Sequence, residues 1–110
     1  MTNQDRIKLL LQFLEDDPSD PFNLYALALE YLKENPGKAR EYFDKLLENH
    51  ELYVPSYYHA AIMYADSGEN DKAIRIIKKG IQICQDQLDF KTLRELQTLL
   101  TNLELGDWEL

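Results

Sequence analysis

An all-α fold of about six helices follows from three observations on this 110-residue chain. Every sizeable apolar stretch repeats at helical spacing. No segment alternates apolar and polar residues with the period of two that a half-buried strand requires. The stretches are separated by Pro, Gly, Asn and Asp, the residues that stop and restart helices.

The elements follow in order. A first helix runs from about Asn3 to Glu15, with Ile7, Leu10, Leu11 and Leu14 on one face. The segment Asp16-Asp17-Pro18-Ser19-Asp20 ends it. Asp20 caps a second helix whose first position is Pro21, where no N–H is needed, and which reaches about Glu34. Asn35-Pro36 repeats the device and starts a third helix ending near Asn49. Pro55 opens a fourth, which stops before Gly68; a fifth spans about Asn70 to Gln87. A sixth covers about Asp89 to Leu105, with Gly106 as its C-terminal stop. Short connections imply antiparallel neighbours.

One helix pair is used twice. Ala39, Phe43 and Leu46 stand 34 residues before Ala73, Ile77 and Gly80. Leu24, Leu27, Ala28 and Tyr31 stand 33 residues before Tyr57, Ala60, Ala61 and Tyr64. The offset of one is a residue missing from the Asn35-Pro36-Gly37 turn relative to Ser67-Gly68-Glu69-Asn70. On these positions the chain resembles the tetratricopeptide repeat family. That resemblance implies a short right-handed α-solenoid of antiparallel helix pairs. It makes residues 1–105 one domain, with repeats at about 21–53 and 54–87, an N-terminal half-repeat helix at 3–15 and a C-terminal capping helix at 89–105. Residues 106–110 form a tail. Gln85 stands where the family has a late Pro. The small residues Ala28, Ala39, Ala61, Ala73 and Gly80 let helices approach closely, and Tyr31, Phe43, Tyr64 and Ile77 fill the gaps. On the sixth helix Leu93, Leu96, Leu100 and Leu103 share an apolar face.

The second and fourth helices are too apolar for one buried face. Beyond the packing stripe, Phe22, Tyr25, Leu29 and Leu32 make a second stripe, repeated by Tyr58, Ile62 and Ala65. A helix apolar on two faces is buried on both or offers one to a partner. In the family such positions line a concave groove that binds peptides. The resemblance therefore implies a non-catalytic interaction module, with Tyr25 and Tyr58 as anchors. The partner is an unidentified protein or peptide with apolar or aromatic anchors. Tyr and aliphatic residues, with only Lys33, Lys91 and Arg94 nearby, speak against a clamp for a terminal carboxylate. The alternative is a structural self-association unit, a homodimer using the same surface; a third reading covers the stripe with the chain's own terminal helices.

Composition narrows the classes further. Acids outnumber bases 20 to 12, a net charge of −8, which opposes nucleic acid and favours basic flanks on a peptide partner. No apolar run approaches the roughly 18 residues of a membrane span, and the start does not read as a signal peptide, so the expected location is cytoplasmic. One Cys excludes an internal disulfide, and Cys84 reads as a small buried hydrophobe. No spacing selects a catalytic set, a metal site or a phosphate loop, so no enzyme activity and no cofactor is expected. His59 falls with Ser56 on what reads as a polar, solvated stripe. Asp16, Asp17 and Asp20 lack the length and terminal Glu of a calcium loop. Lys72, Arg75, Lys78 and Lys79 read as a solvated basic face. Trp108, in the tail, is an aromatic between acids suited to inserting in an aromatic groove, its own or a neighbour's.

Overall fold

A computed structural model describes residues 1–106. It contains six helices and, among the described residues, no strand: α1 (Asn3–Asp16), α2 (Pro21–Tyr31), α3 (Pro36–Asn49), α4 (Pro55–Asp66), α5 (Asn70–Gln87) and α6 (Phe90–Leu105). They fall into two compact units, α1–α3 in Met1–Tyr53 and α4–α6 from Val54 onward. The division lies where the sequence passes from its first helix-pair repeat to its second. Trp108 lies outside the described residues.

In the first unit, every helix start is held by a side chain. Thr2 and Asp5 form a capping box on α1: Thr2 Oγ1 accepts the Asp5 N–H, and the Asp5 carboxylate accepts the Thr2 N–H, each at 3.1 Å. Asp20 accepts the Phe22 N–H at 2.9 Å, and Asn35 accepts the Lys38 N–H at 3.1 Å. α2 ends at Tyr31, three residues earlier than its apolar pattern indicates. The cause is Pro36. It forces Asn35 out of the helical region, to φ −145° and ψ 82°, and the intervening turn closes with the Asn35 N–H donating to the Tyr31 carbonyl at 2.8 Å.

α2 packs on α3 and α1 packs on α2. Leu24, Leu27 and Ala28 are buried on α2, and Ala39, Tyr42, Phe43 and Leu46 on α3. Tyr31 does not fill a core gap as its repeat position implies. It is half-buried, its ring stacked on that of Tyr42 at 5.7 Å and 4°. α1 contributes no fully buried residue. Its hold on α2 is in part polar: Arg6 Nε donates to Glu30 at 2.8 Å, and the Asn3 amide donates to the Glu30 carbonyl at 3.1 Å and to its carboxylate. Ile7, Leu10 and Leu14 are half-buried, whereas Leu11 lies on the exposed side.

In the second unit α5 packs on both α4 and α6, and α4 also meets α6. The three helices converge at Gly80. A Cβ there would stand 2.9 Å from Tyr57 Cβ and 3.0 Å from Leu96 Cδ1, so only Gly permits this approach. Tyr57, Ala60, Ala61, Tyr64, Ala73, Ile77 and Leu96 are essentially inaccessible. On α6, Leu99 and Leu103 are buried with Leu96, while Leu93 and Leu100 are half-buried. α5, 18 residues long, runs on past Gln85, where the family has its late Pro, and ends at Gln87, with the cap Leu88 left-handed at φ 60°. Asp89 then caps α6 by accepting the Thr92 N–H at 3.1 Å, and Gly106 at φ 75° closes it.

Candidate functional site

The second apolar stripe divides between the units. In the first, the Asp20 cap sets Phe22 in the opening turn of α2, where it is 57% exposed. Tyr25 is half-buried, edge-on to the Tyr53 ring at 5.7 Å and 61°. Burial raises the Tyr25 phenol above its ordinary pKa, and Tyr53 adds to the rise; Tyr53 is itself raised by burial and by the Asp20 carboxylate. Both phenols therefore stay protonated, able to donate as well as accept hydrogen bonds at neutral pH. Leu29 is half-buried. Leu32, also half-buried, lies just beyond α2, in the turn that follows it.

In the second unit Tyr58 and Ile62 are half-buried on α4. Ala65, nominated with them, is only 6% exposed. It belongs to the core, because a short methyl on this closely packed helix does not reach past its larger neighbours. Tyr58 borders a cavity of about 340 Å³ whose other wall is α6, through Arg94, Glu95, Thr98, Leu99 and Asn102. Arg94 was already a candidate cation in the sequence. Glu95, Thr98 and Asn102 were not, although the four-residue steps 94, 98 and 102 mark one helix face. The cavity presents one aromatic ring, one apolar floor residue, the donors of Arg94 and Asn102 and the acceptor of Glu95. Such a surface can hold an apolar side chain and hydrogen-bond the peptide backbone around it.

Several other sequence readings change in the structure. Ser56 is fully buried and His59 half-buried, so their stripe is not a solvated face. The reason is the position of α4, which packs against both α5 and α6. The His59 ring meets that of Tyr58 at 5.6 Å and 84°. Burial lowers the His59 pKa, and the Glu95 carboxylate partly opposes that. Lys72 is half-buried, its Nζ 4.1 Å from the Tyr64 ring centre and donating to the Tyr64 hydroxyl at 3.1 Å. Arg75, Lys78 and Lys79 remain exposed.

Cys84 is fully buried, and burial together with Asp89 raises its thiol pKa, the opposite of an activated nucleophile. Asp20 is occupied as a cap and Asp17 accepts the Ser19 hydroxyl at 3.2 Å. Among the described residues no group of three or more His, Cys, Asp or Glu could hold a metal ion. No helix among the described residues is long and apolar enough to cross a membrane.

Comparison with known proteins agrees with this architecture. Residues 23–106 match the family model described as anaphase-promoting complex subunit 5. The crystal structure of a tetratricopeptide repeat domain protein from Salinibacter ruber is 37% identical. It covers 78% of this chain and 97% of that one, with a TM-score of 0.74. The solution NMR structure of a tetratricopeptide repeat domain protein from the same organism is 38% identical, covering 80% of this chain and 90% of that one, with a TM-score of 0.76. A comparison with curated proteins found no match. Domains of this fold generally serve protein interaction and are typically non-catalytic. The repeated helix pair, its small-residue contacts and these likenesses lead to one assignment: the chain belongs to the tetratricopeptide repeat family.

Proposed function

We propose that this chain is a non-catalytic interaction module that takes a peptide or protein segment on the apolar faces of α2 and α4. The observation that carries the reading is Phe22, a large apolar side chain 57% exposed on the face it shares with half-buried Tyr25 and Leu29. Aromatic side chains left open beside a packed helix supply large contact area at low entropic cost. On α4, Tyr58 stands over the cavity walled by α6 and plays the same part. The partner carries apolar or aromatic anchors, and the net charge of −8 speeds its association when basic residues flank them. The matching family model is described as a subunit of a larger complex, a role filled by contacts with other proteins. The cytoplasm is the proposed site of action, consistent with a single, buried cysteine.

The test is selection of binding peptides from a random displayed library against the full chain, followed by titration of Tyr58→Ala. Loss of affinity by more than about 1 kcal/mol, with an unchanged circular dichroism spectrum, is the expected result. Wild-type affinity in the variant removes Tyr58 from the site. A dimer seen by light scattering that Tyr58→Ala dissociates assigns the face to a second copy, the self-association alternative.

A further inference from the structure

We propose that the end of the first unit where α1 and α3 finish and α2 begins docks a basic peptide segment carrying one apolar side chain. An open cleft of about 500 Å³ lies there, lined by Pro21 at the start of α2 and by Asn49, His50, Glu51, Leu52 and Tyr53 at the end of α3. Its walls are mostly apolar. Leu52 is 69% exposed, and Pro21 and Tyr53 are half-buried. An open cleft of this size admits an apolar side chain.

Charge selects what carries that side chain. Glu15 and Asp16 stand in the last turn of α1, Glu48 in the last turn of α3, Asp17 and Asp20 between α1 and α2, and Glu51 on the cleft itself. The Asp20 carboxylate acts on the Tyr53 phenol in the cleft wall. No Lys or Arg occurs in residues 9–32 or 46–53. Lys45, one turn before Asn49, has its Nζ 5.2 Å from the Tyr42 ring centre. A carboxylate at a helix C-terminus is repelled by the negative end of the dipole, where Lys or Arg would be favoured. α1 and α3 both carry acids and no basic residue in their last turns. Helix stability does not ask for this placement, whereas a cationic partner does. A second copy of the chain does not supply that partner. The opposite end of the unit mixes Lys8, Lys33 and Lys38 with Asp5, Glu34 and Glu41, and the whole chain carries −8. The segment that fits comes from another protein and has Lys or Arg on both sides of a Leu, Met or Phe. The cleft shares no lining residue with the cavity at Tyr58 and none with Phe22, Tyr25 and Leu29, so this proposal and the preceding one can fail separately.

The experiment is a titration of the isotopically labelled full chain, followed by amide chemical shifts, with the end-blocked peptide Gly-Lys-Lys-Leu-Lys-Lys-Gly up to about 2 mM. Saturable shifts are expected at residues 49–53. Replacing the peptide's Leu by Ser weakens binding about tenfold, because the apolar contact is lost. Replacing its lysines by Glu abolishes binding, and raising salt from about 50 mM to about 500 mM weakens it about fivefold. Glu48→Lys also weakens it about fivefold without lowering the midpoint of thermal unfolding, since a cation at that helix end suits the dipole. Leu52→Ala weakens it as well, and Tyr58→Ala leaves it unchanged. No saturable shift at residues 49–53 overturns the inference. So does a Ser peptide that binds as tightly as the Leu peptide, which would make this end a charged surface only. Affinity indifferent to Glu48→Lys, or shifts centred on Tyr58, overturns it too.

Discussion

Tyr31 and Tyr64 hold the same place in the two repeats, yet Tyr64 is fully buried and Tyr31 is half open. Tyr64 lies under the Lys72 ammonium, while Tyr31 stacks face to face on Tyr42 and borders a cleft beside α1. The same contrast holds at the helix contact. The first pair carries buried Leu24 and Leu46 where the second carries Tyr57 and Gly80. A larger residue on one helix is answered by a smaller one on the other, and in the second pair Leu96 of α6 also reaches the space above Gly80. A repeat motif thus fixes which face a residue takes. How deeply the residue is buried depends on what covers the pair. In the second unit that cover is α6, with Leu96 against Gly80. In the first it is α1, which contributes no fully buried residue of its own.

The largest effect should come from the tyrosines. Tyr64→Ala removes a ring with no solvent access and the partner of Lys72, so a loss of about 3–5 kcal/mol in urea denaturation of the full chain is expected. Tyr31→Ala should cost less than half as much, because its ring already meets water. Equal losses would break the comparison and make the two repeats equivalent.

Gly80→Ala tests the close approach directly. Two of the three nearest atoms to the new methyl are Tyr57 Cβ and Cγ, at 2.9 and 3.0 Å. These sit near the backbone, and no rotamer change moves the Cβ away. Overpacking costs about 1–3 kcal/mol, against up to about 1 kcal/mol gained in helix propensity. A net loss of about 1–2 kcal/mol is expected from the midpoint of thermal unfolding. A neutral or stabilised variant would show that α4 and α5 separate freely, and that the small residue is not what sets their spacing.

The helix starts were legible because they are written in local chemistry, whereas the end of α2 was read three residues late. Asp20, Asn35 and Asp89 each accept a backbone N–H from the first turn of the helix they start, and α5 occupies the span its pattern indicates. The capping box at Thr2 and Asp5 is equally local and was open to the same reading. Burial was less legible. Ser56 and His59 look polar on a helical wheel, but a wheel carries no information about a third helix packed alongside. Ala65 shares a stripe with Tyr58 and Ile62 but is too short to reach its outer edge. The α6 side of the Tyr58 cavity was missed for the complementary reason: Thr98 and Asn102 acquire meaning only when α6 is set beside α4.

The smallest expected effect separates the two units by pH. In the second unit burial holds the His59 pKa below its ordinary value, so the unfolded chain takes up the proton first as pH falls. The stability this group contributes is complete above about pH 6.5, the unfolded value, and is lost as pH falls through the lower folded one. In the first unit the Arg6 guanidinium holds the Glu30 carboxyl below the usual range, with Asn3 assisting. That contribution is complete above about pH 4.3 and is lost at still lower pH, as Glu30 protonates in the folded chain. It should stay below about 1 kcal/mol, since Arg6 is 39% exposed and solvent screens the pair. Urea denaturation at successive pH values should therefore show an early fall near pH 6 that His59→Gln removes. A later fall in the acid range should be reduced by Glu30→Gln. An early fall that survives in His59→Gln would place its origin elsewhere. In that case the half-buried ring beside Tyr58 would bear a neutral imidazole and an imidazolium equally well, and the acid sensitivity of the second unit would have to come from its carboxylates.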